Sequence, residues 1–317
     1  MANAVGEIER VERGALAPGG GRYSFSLKSP GERDALNDSL KRQGQLTPLL
    51  VVEDDGALTV AAGSGRFAAL TMLGAEYIWV RRFTGSRKSL WERLLDEQLS
   101  GGGLNPGEVA LYLKKRLADT KETAEELSLG LLERLGLPAR HGALDDPLWI
   151  GGLEPPELFR YAFGELPIKG VRLLMKAKKE DALAILRATR GVRLGANKLN
   201  EVIKCALECA WRDGIGVQEL LEREKLGRFG EDGETLRMAL LKLRYPTVSE
   251  WEESFGVDTE SLKLPGGVNI SHTPGFEGGK LRITFAFPSL KYLDDNLKIV
   301  RDKIAGGDFA SMEKYLG

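Results

Sequence analysis

Between Arg22 and about residue 84 the apolar positions switch repeatedly between the strand period of two and the helical period of 3.6. "RYSFSL" (22–27) alternates as a strand. Ser29-Pro30-Gly31-Glu32 then opens a helix through "ERDALNDSLKRQG", with Leu36 and Leu40 on one face and Gly44 as its stop. "PLLVVED" (48–54) and "ALTVAAG" (57–63) read as strands joined by a tight turn at Asp55-Gly56. "RFAALTMLG" (66–74) is a helix beginning near Arg66 and closed by Gly74, and "YIWVRRF" (77–83) is a third core strand. Residues 1–21 carry no such period and predict a loose or partly helical arm.

From residue 86 to about 228 the strand signal fades and apolar stripes at helical spacing dominate. "SLWERLLDEQL" (89–99), "NPGEVALYLKKRLAD" (105–119), "TAEELSLGLLERLG" (123–136), "IKGVRLLMKAKKEDALAILRAT" (168–189) and "GANKLNEVIKCALECAWRDG" (195–214) each predict one helix. Asn105 is placed as an N-cap with Pro106 just inside the start. Residues 229–317 are mixed again. "TLRMALLKLRYP" (235–246) is a helix, "GVNISHTPGFEGGKLRITFAF" (267–287) a pair of strands, and "SLKYLDDNLKIVRDKIAG" (289–306) an amphipathic helix. The expected class is α+β: an arm (1–21), a small α/β domain (22–85), a helical domain (86–228) and a C-terminal α+β module (229–317).

Composition alters this picture little. With 42% hydrophobic and 29% charged residues over 317 positions, the chain reads as an ordinary globular protein. No run approaches the roughly 18 apolar residues of a membrane span, and the first residues lack a signal-peptide core, so the expected location is the cytoplasm with no membrane partner. Cys205 and Cys209, four apart on one helical face, read as two small buried residues. The net charge of -1 gives no global attraction to nucleic acid, but it is unevenly spread. Arg160 to Lys204 holds eleven Lys or Arg against four Asp or Glu, a local net of +7.

The chemistry concentrates at Gly63-Ser64-Gly65-Arg66. Glycines between a strand and a helix allow positive φ and close approach of a ligand. The free N–H groups and positive dipole end of the helix then favour an anion, and an arginine adds a forked donor for phosphate oxygens. A tight strand-to-helix turn needs the same residues, so the spacing alone leaves both readings open.

The run "SLKRQGQLTPLLVVEDDGALTVAAGSGRFAALTMLGAEYIWVRRF" resembles the ParB/sulfiredoxin-like superfamily along its length. It has the family's Gly-x-x-x-Pro strand entry (Gly44 to Pro48), the glycine-rich phosphate loop ending in Arg66, and the strand after an "LG" turn (Gly74 to Phe83). Glu97-Gln98 followed by Leu104-Asn105-Pro106-Gly107-Glu108-Val109-Ala110 resembles the acidic-amide pair and helix start of ParB proteins. The ParB-like features together span roughly residues 22–225.

The resemblance implies a nucleoside triphosphate, CTP by analogy, with Mg2+. Thr47, Gly63, Ser64, Gly65, Arg66, Glu97 and Gln98 are the implied nucleotide contacts, with Glu97 also on the metal. It further implies DNA contacts through a degenerate helix-turn-helix region. Arg140 and His141 are the candidate polar readers, and Lys169, Arg172, Lys176, Lys178 and Lys179 the candidate phosphate contacts. The segment "PARHGALDDPLWIGG" (138–152), at the place of a reading helix, is expected to be a poor helix.

The chain also departs from the family. Ser64 and Gly65 replace the Glu and first Arg of ParB's Gly-Glu-Arg-Arg loop, and Gly101-Gly102-Gly103 replaces an arginine. Ser64 stands where sulfiredoxin carries its nucleophilic cysteine, and the loop lacks the histidines of the related serine kinases. The leading expectation is a nucleotide-switched, DNA-associated protein with at most slow hydrolysis. A phosphotransferase or nuclease, and a binding scaffold without nucleotide chemistry, are the alternatives. The last helix has an apolar face suited to pairing two copies.

Overall fold

The computed structural model describes residues 5–19, 21–127, 129–138, 140, 142–229 and 232–316. They form two compact units. The first comprises the described residues up to Ala182 with Gly195–Asn200; the second comprises Leu183–Leu194 and the described residues from Glu201 on.

The first unit begins with strands β1 (Val5–Glu12) and β2 (Leu16–Ala17), then helix α1 (Pro30–Gln43). Strands β3 (Leu49–Asp54) and β4 (Ala57–Ala62), helix α2 (Ser64–Met72) and strand β5 (Tyr77–Phe83) follow. The sheet order is β1-β5-β3-β4-β2. β3 runs parallel to β5 and antiparallel to β4, so α2 carries the chain across β3. Asp55 and Gly56 both have positive φ, the requirement for the two-residue hairpin turn. α1 is fixed by a capping box in which Ser29 and Glu32 satisfy each other's backbone N–H groups, and Gly44 ends it at φ 68°. Leu49, Val51, Val60, Ile78 and Val80 face Leu40 of α1 and Ala69 and Leu70 of α2.

The other sheet face, through Leu50, Val52, Ala61 and Phe83, packs on helices α3 (Arg87–Ser100) and α4 (Pro106–Thr120). Trp91, Tyr112 and Phe25 meet there with ring centroids 5.1 to 6.1 Å apart. Asn105 and Glu108 cap α4, and Glu108 Oε1 also accepts the Leu27 N–H at 2.8 Å. Short helices α5 (Leu129–Arg134), α6 (Asp145–Gly151), α7 (Pro155–Ala162), α8 (Ile168–Met175) and α9 (Lys179–Ala188) follow, then α10 (Ala196–Asp213).

Elements of the second unit include α11 (Val217–Arg223), α12 (Gly233–Arg244), α13 (Pro246–Ser261), the antiparallel pair β6 (Val268–His272) and β7 (Leu281–Phe285), and α14 (Leu290–Ala305). Its small core gathers Phe255, Ile270, Phe276 and Tyr315, with His272 stacked on Phe276 at 3.9 Å. Cys205 and Cys209 are buried free thiols, and burial pushes both up from their ordinary pKa.

Several expectations are corrected. The N-terminal segment is not a loose or helical arm: Val5–Glu12 is a strand paired antiparallel to β5. "RYSFSL" alternates without being a strand. Tyr23 and Phe25 are buried against the α3–α4 core, yet the segment has no ladder partner. α2 starts at Ser64 rather than near Arg66, because Gly63 at φ 87° is its N-cap. The helix expected over 123–136 begins as a 3-10 turn at Ala124–Glu126, closed by its own Thr123–Glu126 capping box, before α5. The helix expected over 168–189 is two, since Glu180 and Asp181 favour a fresh start at α9. Residues 138–152 do contain a helix, α6. Asp145 and Asp146 complement its N-terminal dipole, and Pro147 falls in the first turn where its missing N–H is not needed. α13 was not anticipated at all.

Arg116 on α4 is 2% exposed and donates to Glu122 at 2.9 Å and to the Tyr112 hydroxyl at 3.0 Å. The hydrogen bond from Arg116, with help from Lys88 and Thr120, brings the Glu122 pKa from 4.5 down to about 2. A depressed carboxylate stabilises the fold above its unfolded pKa, and that contribution fades as pH falls through the folded value. Urea unfolding of wild type and Glu122→Gln is therefore expected to differ most near pH 6. The difference should shrink between about pH 4.5 and 2.

Candidate functional site

A cavity of about 410 Å³ lies in the first unit, within the range of small-molecule sites. One wall is the Gly63-Ser64-Gly65-Arg66 turn from β4 into α2. The first helical bond runs from the Phe67 N–H to the Gly63 carbonyl at 2.9 Å, so the preceding N–H groups of the turn are outside the ladder. Gly63 needs its left-handed φ of 87°, and a Cβ there would meet Leu49 Cδ2 at 2.6 Å. A Cβ on Gly65 would press on Leu36 of α1 at 3.3 Å. Gly63 thus keeps the turn against β3, and Gly65 lets α1 close on α2.

A second wall is the extended segment 23–28 with the first turns of α1. Lys28, Arg33 and Asn37 line the cavity from there. The Ser64 hydroxyl donates to Ser24 Oγ at 3.2 Å, and Lys115 of α4 donates to the carbonyls of Gly21 and Ser24. Ser26 Oγ is buried without a hydrogen-bond partner among the described residues. α3 supplies Glu97 and Gln98. Arg66 folds back beside Gly63, where a Cβ would meet its Nη2 at 3.0 Å. Its Nη1 donates to the Thr47 and Pro48 carbonyls at 3.1 and 3.4 Å, and its Nη2 to Glu97 Oε1 at 3.3 Å.

Gly63, Ser64, Gly65, Arg66, Glu97 and Gln98 are therefore brought together from positions over thirty residues apart. Thr47 is placed one step outside: it does not line the cavity, and its carbonyl holds Arg66. Lys28, Arg33, Ser24 and Ser26 are cavity residues that sequence reasoning missed. The available signal was the basic pair flanking the Ser29-Pro30 helix start.

The lining carries three cationic side chains, Lys28, Arg33 and Arg66, against one carboxylate, Glu97. With the free helix N-terminus this donor set suits a polyanion. A single carboxylate also fits Mg2+, which takes one or two from the protein and the rest of its shell from phosphates and water. Among the described residues no group of three or more His, Cys, Asp or Glu gathers as a metal site.

The basic candidates lie elsewhere in the unit. Lys169, Arg172 and Lys176 are exposed and share one face of α8 and its C-cap, at i, i+3 and i+7. Arg172 is already bonded to Asp146 of α6 at 2.7 Å. Lys178 and Lys179 are exposed at the start of α9, and Arg140 is exposed in the loop before α6. His141 lies outside the described residues. α6 itself packs tightly on α4: a Cβ on Gly151 would stand 2.5 Å from the Ala110 carbonyl. Residues 135–144 separate α5 from α6, a longer link than the roughly 3–4-residue turn of a helix-turn-helix. Among the described residues no helix is long and apolar enough to cross a membrane.

Neither a protein-family model nor a curated protein matches the chain. Solved structures do. Sulfiredoxin from Arabidopsis thaliana is similar over 28% of this chain and 97% of its own, at 23% identity and a TM-score of 0.23. The C-terminally truncated chromosome-partitioning protein ParB from Caulobacter crescentus is similar in two crystal structures. Complexed with CTP-gamma-S, the match covers 57% of this chain and 98% of that one, at 18% identity and a TM-score of 0.28. Complexed to the centromeric parS site, it covers 62% and 98%, at 16% identity and a TM-score of 0.33. The elements and sheet order of the described residues are those of an α+β chain.

Proposed function

We propose that the cavity of the first unit binds a nucleoside triphosphate with Mg2+, and that binding switches how the protein associates with DNA. The observation that carries this is the three-to-one excess of cations over carboxylates around a glycine turn at a helix N-terminus. CTP is the nucleotide by the sequence resemblance. In this reading the N–H groups of the turn, Lys28, Arg33 and Arg66 hold phosphates. Ser64 donates a hydrogen bond and Gln98 orients the ligand. Glu97 supplies the carboxylate for Mg2+, which would neutralise phosphate charge when bound. Any turnover is slow and resets the switch.

DNA would be held through its phosphates by Lys169, Lys176, Lys178 and Lys179. Arg172 joins them only by giving up Asp146. Such binding confers affinity without base readout. Removing one lysine that neutralises a phosphate lowers the slope of log affinity against log salt by about 0.9. The double variant Lys169→Ala/Lys176→Ala is therefore expected to lower the slope by about 2 on duplex DNA, equally across sequences. An unchanged slope would place the DNA-binding surface elsewhere. The switch itself is tested by retention on long duplexes with and without CTP and Mg2+. The proposal expects retention to change with nucleotide, and identical retention would contradict it. Pairing of two copies through Leu290, Leu297 and Ile304, exposed on α14, belongs to the same reading.

A further inference from the structure

The sheet of the first unit is not fully covered. Antiparallel partners on one face point the same way, and here Ile8 stands opposite Arg81, Arg10 opposite Trp79, and Glu12 opposite Tyr77. The exposed face of β1 and β5 is therefore a checkerboard of aromatic, aliphatic and charged side chains. Trp79 is 47% exposed, Tyr77 42% and Ile8 53%. Arg10 lies with its guanidinium 4.0 Å from the Tyr77 ring centroid. Among the described residues neither Arg10 nor Arg81 has an ion pair, whereas neighbouring Arg82 is paired to Glu9. The strand beneath is held rigid from its other edge: Gln45 donates to the Trp79 carbonyl at 2.7 Å and accepts the Trp79 N–H at 2.9 Å.

We infer that this face docks a short single strand of nucleic acid through its unpaired bases. Bases stack on aromatic rings and on arginine guanidinium planes, and the face offers both side by side. Tyr77 and Trp79 are two residues apart on one strand, so about 6.8 Å separates them. That is about twice the 3.4 Å repeat of stacked bases, a spacing that suits splayed single-strand bases. Arg81, exposed on the same face, is available to a backbone phosphate, while Arg10 stacks on Tyr77. An apolar protein partner would instead bury two guanidinium groups without partners, which is costly. The cavity described above uses none of these residues, so the two proposals stand independently.

The test is fluorescence anisotropy of labelled oligo(dT) and oligo(rU) of about 12 nucleotides with the full chain at low salt. Saturable binding is expected. Trp79→Ala should weaken it at least about fivefold, while Trp79→Phe keeps binding within about twofold, because a phenyl ring still stacks. Duplex binding should be the same in wild type and Trp79→Ala. The exposed position makes the fold insensitive to either change, and a thermal melt of each variant checks this. Absence of single-strand binding, or Trp79→Ala binding like wild type, would overturn the inference. So would self-association in sedimentation that Trp79→Ala abolishes, which assigns the face to protein contact. A preference between oligo(dT) and oligo(rU) decides which nucleic acid the face takes.

Discussion

Replacing Arg66 by alanine is expected to weaken binding of a nucleoside triphosphate at least about tenfold, a loss of about 1.4 kcal/mol. Two effects add. The variant removes the one cation that the turn itself contributes, where the resembled ParB loop has two. It also releases Glu97, whose carboxylate is now bonded to Arg66 Nη2 at 3.3 Å. A bare carboxylate beside the phosphates repels them. The second effect is separable, because Glu97→Gln in the Arg66→Ala background should recover part of the loss in magnesium-free buffer. Arg66→Lys keeps the charge but cannot bridge two carbonyls and a carboxylate with one planar fork, so it should fall between wild type and alanine. Calorimetry on the four proteins checks the order. Equal affinities in all four would remove Arg66 from the ligand's surroundings.

The largest expected loss of stability follows from Arg116→Ala, at about 3–5 kcal/mol. The guanidinium is 2% exposed and Glu122 12% exposed, so truncation takes the donor from the Tyr112 hydroxyl and leaves the carboxylate with only Lys88 and Thr120. Replacing both partners by apolar residues, Arg116→Met with Glu122→Leu, should cost far less, because no charge is then stranded. Urea denaturation of the single and double variants measures this directly. A single variant within about 1 kcal/mol of wild type would mean that water reaches the pair and that the α4 core is looser than described.

What the sequence made legible were features set by neighbours in the chain. The Ser29 and Asn105 caps, the Asp55-Gly56 hairpin and the Gly63 turn each depend on a few consecutive residues. Strand β1 was hidden because it lies at the sheet edge with one face open. Ile8, Arg10 and Glu12 carry mixed chemistry, so "VGEIERVE" shows no clean alternation. The segment 22–27 misled in the opposite direction, since Tyr23 and Phe25 alternate to fill the α3–α4 core with no ladder to join. Half of the cavity was visible in the glycine turn and Glu97-Gln98. The other half, Lys28 and Arg33, depends on how α1 packs on α2, which local pattern does not encode. Their charges join that of Arg66 only once the walls of the cavity meet.

The most direct test of nucleotide binding at this cavity is calorimetric titration of the wild-type chain with CTP, ATP and GTP in the presence of Mg2+, repeated on Lys28→Ala/Arg33→Ala. Saturable one-site binding is expected, tightest for CTP, with a loss of at least about tenfold in the double variant. No heat of binding from any of the three at millimolar concentration would contradict it, and the cavity would then be a structural feature of a protein that works without nucleotide.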